Sequence, residues 1–267
     1  MSVHGDWIVP AWAAPRPVRA LFTTRRGGVS TGPWGGWPER AGGMNLGAAS
    51  GDDPRIVQAN RRLLRASVPA KPRWLQQVHG AVVVDAEAVA QPPPADAAVA
   101  CTAGVVCVVT VADCVPVLLA DVHGRAVAAG HAGWRGLAAG VLQATVARMR
   151  ERLADPAAQI VAWLGPAIGP TRFEVGGEVR AAMQTRLPQA AKAFAAQGDG
   201  KWLANLFALA RQALAQVGVT EVTGGEHCTA SDARRFYSHR RDRGVTGRHA
   251  ALIWIGDGAS RRSVESV

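Results

Sequence analysis

The sequence predicts an α/β fold: one domain over residues 1–267, with mixed β-sheets flanked by helices. Three observations lead there. Short β-branched runs and longer runs of helix formers both recur along the chain. Their order is irregular, which argues against strict βαβ winding and for a mixed sheet. Hydrophobic residues make up 48% of the chain and charged residues 19%, enough for a packed interior and the reverse of a disordered balance.

The elements follow in order. Val18 to Thr24 reads as a strand. A Gly-, Pro- and Trp-rich run over 31–43 reads as a surface loop. Asp52-Asp53-Pro54 opens a helix, with an acidic cap before proline at the first helical position. Ile56, Val57, Leu63 and Leu64 follow at helical spacing. β-rich runs come next at Trp74 to Val78, Val82 to Val84, Val105 to Val111, Val115 to Leu119 and Arg125 to Ala129. Gln91-Pro92-Pro93-Pro94 reads as a short stiff loop. Gly136 to Leu153 reads as one long helix closed by Asp155-Pro156. Ile160 to Leu164 and Ala250 to Ile255 read as buried strands, and Glu178 to Leu187 and Leu203 to Val217 as helices. There is no internal repeat and no stretch long enough to link two domains.

Composition excludes several classes. No segment reaches the roughly 18 apolar residues of a membrane helix. The start, Met1 to Asp6, lacks the basic and apolar regions of a signal peptide, so a cytoplasmic protein without a membrane partner is expected. Cys101, Cys107, Cys114 and Cys228 form no CxxC pair, and most are expected to be free core thiols. The net charge of +10 suits anions such as phosphate, nucleotides or nucleic acid. Frequent arginine usage in an Ala- and Arg-rich chain accounts for it equally well.

Three segments look unlike ordinary core. Trp74-Leu75-Gln76-Gln77-Val78-His79-Gly80 ends an apolar run with histidine and a glycine turn. Its ordinary reading is a turn histidine satisfied by backbone. In Thr110-Val111-Ala112-Asp113-Cys114-Val115-Pro116 a charge and a thiol interrupt two β-branched runs, so Asp113 in a buried hairpin needs compensation. Its ordinary reading is a turn in which Asp113 bonds backbone amides. In Gly130-His131-Ala132-Gly133-Trp134-Arg135-Gly136 a strand passes through a glycine-rich bend into a helix, a place where free amides and Arg135 suit an anion. Together, His79, Cys114 and His131 make a His₂Cys set, which zinc accepts while keeping a fourth position open for catalysis. Their spacing is too wide for a zinc finger.

The motifs also carry a family resemblance. The chain resembles the YfiH-type purine nucleoside phosphorylase family, formerly the laccase-domain or polyphenol oxidase family. The matching pieces are Phe22-Thr23-Thr24-Arg25-Arg26-Gly27-Gly28-Val29-Ser30, Asn45-Leu46-Gly47, Gln77-Val78-His79-Gly80 and Ala112-Asp113-Cys114-Val115-Pro116. His131-Ala132-Gly133-Trp134-Arg135-Gly136, Gly165-Pro166-Ala167-Ile168-Gly169-Pro170, Phe236-Tyr237-Ser238, Arg240-Arg241-Asp242 and Thr246-Gly247-Arg248 complete them. Three departures stand out: Thr171-Arg172 where such families often have cysteine, Asn205-Leu206 for Asp-Leu, and His239-Arg240-Arg241 for Tyr-Arg-Arg.

The resemblance implies a fold related to bacterial toxin-type cysteine hydrolases. It implies a metal, usually zinc with copper as the alternative, on His79, Cys114 and His131. It implies purine nucleosides and inorganic phosphate as partners: phosphorolysis of adenosine, inosine and guanosine, cleavage of methylthioadenosine, and deamination of adenosine. Arg25 and Asn45 match positions that line the pocket, and Gln77 is taken with them as substrate-binding. Asp113, Cys114 and Arg135 are the expected catalytic groups: phosphate is expected on Arg25, the amides near Gly133 to Gly136 and Arg135, with Asp113 as the proton shuttle of deamination.

Three other readings compete. A copper oxidase needs His-x-His pairs for a trinuclear cluster, and the seven histidines (4, 79, 123, 131, 227, 239 and 249) include none. Cys114 activated by His131 suits a metal-free hydrolase. The six arginines between Arg234 and Arg248, with Phe236 and Tyr237, suit RNA, but Asp242 interleaves and nucleic acid is the weaker expectation. Oligomeric state is not legible.

Overall fold

The computed structural model describes residues 4–256, so the Met1–Val3 part of the leader reading lies outside the described residues. The elements are β1 (Val18–Phe22), β2 (Arg26–Ser30), α1 (Pro54–Arg65), β3 (Val83–Asp85), β4 (Ala97–Ala100), β5 (Cys107–Val111), β6 (Val115–Asp121) and β7 (Val127–Ala132). They continue with α2 (Trp134–Ala139), α3 (Val141–Arg152), β8 (Ile160–Leu164), β9 (Glu174–Val175), α4 (Gly177–Arg186), β10 (Phe194–Gly198), β11 (Lys201–Ala204), α5 (Leu206–Ala215), β12 (Val222–Gly224) and β13 (His249–Ile255).

The main sheet has six strands in the order β12-β8-β6-β7-β4-β3, with parallel pairs at both edges and antiparallel pairs between. A second sheet, β1-β13-β5, is wholly antiparallel. A small third sheet joins β10, β11 and β9. The mixed α/β class is thus as expected.

Strand alternation builds the layers. Val115, Val117 and Leu119 of β6 point into a core shared with α2, α3, α4 and α5. Leu118 and Ala120 point the other way, against Val109, Ala251 and Ile253 of the second sheet. The far face of that sheet, through Leu21, Val108 and Leu252, packs on Leu64 of α1 with Met44 and Trp74. The order is helices, sheet, sheet, helix. Among the described residues no helix is long and apolar enough to cross a membrane.

Three expectations need correction. Gly136 to Leu153 is not one helix: Gly140 takes φ +89, which breaks the run into α2 and α3. Trp74 to Val78 is not a strand: Gln76 makes an isolated bridge to Pro94, and Arg73, just before the segment, makes one to Cys107. The two β-branched runs around Cys114 are not a hairpin, because β5 pairs with β13 and β6 with β7 and β8. The chain changes sheets at Ala112-Asp113-Cys114, and Asp113 makes the turn at φ 86.

Candidate functional site

The sheet change puts Cys114 at the head of β6. Pairing of Val115 with Ala132 and Pro116 with His131 brings the end of β7 alongside. Gly133, one step beyond that pairing, leaves room for the donors. A Cβ there would stand 2.8 Å from Cys114 Sγ and 3.3 Å from His79 Cδ2. His79 arrives from outside the sheet, on the 74–80 segment, with φ 60. Gln77 fastens that segment to β5: its Oε1 accepts from the amide and hydroxyl of Thr110, and its Nε2 donates to the Thr110 carbonyl. The donor atoms of His79, Cys114 and His131 all lie within 4.8 Å of one another. His131 is buried, Cys114 half-buried and His79 exposed at the mouth. This is the only cluster of three or more His, Cys, Asp or Glu donors that the described residues offer to a metal.

Sequence reasoning missed Asp96. Its buried carboxylate lies 2.8 Å from His131 Nδ1, which leaves Nε2 for the donor cluster. It also accepts the amides of Val78, His79 and Gly80, and its own carbonyl accepts from the His131 amide at 2.7 Å. One side chain therefore sets the ring of one histidine and the left-handed backbone of another. Burial pushes the Asp96 pKa up, but the bonds from His131 and the Gly80 amide outweigh it and hold the carboxyl below its ordinary range. The signal for it was a lone carboxylate inside the apolar run Ala95 to Ala100.

The thiol and its neighbour favour charge separation. Burial pushes the Cys114 pKa up, yet the charge of His131 and hydrogen bonds from His131 and His79 bring it well below the ordinary thiol. Burial opposes charging of His131, but Cys114 and Asp96 raise it. The donor set, the spare Nε2 and the space above Gly133 fit a thiolate- and imidazole-bound divalent metal.

A cavity of about 710 Å³ opens over the cluster. Trp74, Trp134 and Phe173 line it, with the guanidinium groups of Arg61, Arg135 and Arg240 over their rings, and these arginines with Arg248 give it positive charge. Asp113 is the one acidic side chain in the lining. Its Oδ1 accepts from the Thr229 hydroxyl and its Oδ2 from the Arg240 amide, both at 2.6 Å. Arg135 is exposed, its guanidinium 4.4 Å from the Trp134 ring centroid. Gln77 also lines the cavity.

Arg25 and Asn45 stand behind it rather than in it, so Arg25 is not placed to hold phosphate there. Arg25 is buried over the Tyr237 ring and donates to the carbonyls of Gly35 and Ala233. Asn45 accepts the amides of Gly47 and Arg248, both cavity residues, and donates to Ser50 and Asp52. Within the arginine-rich run Arg241 turns inward, pairing with Asp242 and bonding the carbonyls of Thr229 and Phe236, while Arg234, Arg240 and Arg243 are exposed.

Comparison with known proteins agrees with this architecture. A family model described as multi-copper polyphenol oxidoreductase laccase matches residues 19–256. Purine nucleoside phosphorylase PA4543 of Pseudomonas aeruginosa is 48% identical over 94% of this chain and 99% of its own. Purine nucleoside phosphorylase YfiH of Escherichia coli is 48% identical over 93% of this chain and 98% of its own. The crystal structure of Neisseria meningitidis protein NMB0706 superposes with a TM-score of 0.87 at 47% identity, over 94% of this chain and all of that one. YlmD of Geobacillus stearothermophilus gives a TM-score of 0.81 at 31% identity, over 91% and 94% of the two chains. The chain belongs to the family described as multi-copper polyphenol oxidoreductase laccase, in which its 48%-identical relatives are named purine nucleoside phosphorylases.

Proposed function

We propose that the protein is a zinc-dependent purine nucleoside phosphorylase acting on adenosine, inosine, guanosine and methylthioadenosine, and that it also deaminates adenosine. The observation that carries this reading is the His79–Cys114–His131 donor cluster in a cavity lined by aromatic residues and arginines. Zinc held by these three donors supplies Lewis-acid polarisation toward the cavity.

The chain's own residues do the rest. Trp134, the least buried of the three aromatic residues in the lining, is the candidate to meet the purine, with Trp74 and Phe173 as buried apolar wall. Phosphorolysis moves the anomeric carbon from purine nitrogen to a phosphate oxygen, so phosphate must be held in line with the breaking bond. Arg135 is the candidate for that task, with Arg240 and Arg248 adding positive charge where the anion reacts. Gln77 holds the His79 segment through its bonds to Thr110, so its side-chain amide is already engaged beside the cavity. Arg25 and Asn45 act through the loops they tie down. Asp113 is the candidate proton carrier in deamination, next to Cys114 in the chain.

A second reading has one observation in its favour. Asp96, His131 and Cys114 stand in the order of an orienting acid, a base and a thiol nucleophile. Chelation separates the two. Removing metal abolishes phosphate-dependent release of hypoxanthine from inosine, and zinc restores it. Activity that survives chelation but not thiol alkylation would transfer the chemistry to Cys114. Restoration by copper alone would return the oxidase reading.

A further inference from the structure

Past Arg61, Trp74 and Pro92, which line both spaces, the cavity adjoins a second groove of about 450 Å³. The proposed chemistry does not use it. Its walls are the later turns of α1, the stretch from Lys71 to Trp74 and the loop at 89–92. Arg61, Arg62, Arg65, Lys71 and Arg73 line it, and no Asp or Glu does.

Much of this charge is uncompensated. Among the described residues Arg61 and Arg65 donate to neutral carbonyls alone, of Leu46 and of Val68 and Pro69. Arg61 is held 3.8 Å over the Trp74 ring, and burial brings its pKa down to about 10. Arg73 bonds the Val89 carbonyl through Nη1, while its buried Nε has no partner. Arg62 and Lys71 are exposed and make no hydrogen bond or ion pair with the described residues. Like charges one helical turn apart, such as Arg61 and Arg65, repel. An anion reverses that cost, and guanidinium groups match phosphate oxygens in pairs.

The shape narrows the ligand. Trp74 is the sole aromatic residue of the groove and stands at its junction with the cavity. A single-stranded nucleic acid asks for a succession of stacking rings along a charged track. Five cations in a groove that opens from a cavity of nucleoside-binding character suit several phosphates following one base. We propose that the groove binds the oligophosphate chain of a purine nucleotide whose base occupies the adjoining cavity. The identity of the base rests on the nucleoside reading of the cavity; the oligophosphate site does not. One nucleotide across both spaces excludes the nucleoside, so nucleotide binding inhibits turnover.

The test is calorimetric titration of the full chain with ATP, inorganic tripolyphosphate and adenosine, for wild type and the double variant Arg62→Ala/Lys71→Ala. Neither altered residue lines the cavity. ATP is expected to bind at one site about tenfold more tightly than adenosine and to weaken with salt. The double variant loses about tenfold in affinity for ATP and for tripolyphosphate and keeps its affinity for adenosine. ATP no tighter than adenosine, or equally tight in the double variant, overturns the proposal, as does an oligonucleotide that binds more tightly than ATP. If tripolyphosphate binds and the double variant loses it while adenosine fails to bind, the oligophosphate site stands and the nucleoside reading falls.

Discussion

Asp96 Oδ1 lies 2.8 Å from Nδ1 of His131, and the same carboxylate gathers three consecutive amides that include that of His79. Two donors that reach the cluster from separate segments are thus set by one buried acid. Asp96→Ala is expected to weaken zinc binding about 10–100-fold, as loss of a carboxylate behind a ligating histidine does. It also strands three amides and lowers the stability of the metal-free protein by about 1–3 kcal/mol. Chelator competition and urea unfolding read these separately. Unchanged zinc affinity removes Asp96 from the site.

Gly133→Ala tests the cluster by sterics alone. Gly133 has φ −73, which alanine adopts without strain, but its Cβ would crowd Cys114 Sγ and His79 Cδ2. Zinc content should fall sharply, while the metal-free protein loses no more than about 1–3 kcal/mol of stability. Full zinc occupancy in the variant would show that the donors meet somewhere other than above Gly133.

The three donor residues of the cluster were legible because each sits where an apolar run stops at a glycine or a charge. Asp96 was harder, since its role depends on β4 pairing with β7, which sets Ala97 opposite Gly130 and so Asp96 beside His131. That register is a long-range fact with no local mark. The same limit explains the supposed hairpin: β-branched residues announce strands at β5 and β6 but not their partners. At Gly140, the helix formers on either side concealed a backbone conformation that only the fold requires. Arg25 and Asn45 carry family motifs, yet their side chains are consumed by buried carbonyls and loop amides.

Arg135→Ala is expected to raise the phosphate KM of inosine phosphorolysis by about tenfold, because one charged contact to phosphate is lost. The inosine KM should move little. An unchanged phosphate KM removes Arg135 from phosphate binding and leaves Arg240 and Arg248 as the candidates.

Asp113→Ala is expected to abolish adenosine deamination. It also frees the Thr229 hydroxyl and the Arg240 amide, so phosphorolysis should fall with it through the loosened Arg240 loop. Asp113→Asn separates the roles: it keeps acceptor capacity for the loop but cannot carry a proton. Full deaminase activity in either variant rejects the proton-carrying assignment.

His249 gives the fold a pH dependence of its own. The ring is fully buried against Phe22, Phe236 and Tyr237, and its Nε2 accepts the Tyr237 amide at 2.8 Å. Burial, helped by the charge of Arg25, pushes its pKa down from 6.5 to about 3. Between those values the unfolded chain binds a proton that the folded chain refuses, so stability falls as pH drops below 6.5. At pH 5 this amounts to about 2 kcal/mol relative to pH 8. His249→Gln keeps an acceptor near the Tyr237 amide and removes the titration. Urea unfolding at both pH values should therefore show a smaller acid loss in the variant, by about that amount, despite a lower stability at pH 8. Equal acid losses in the two proteins would mean that His249 gains its proton without unfolding.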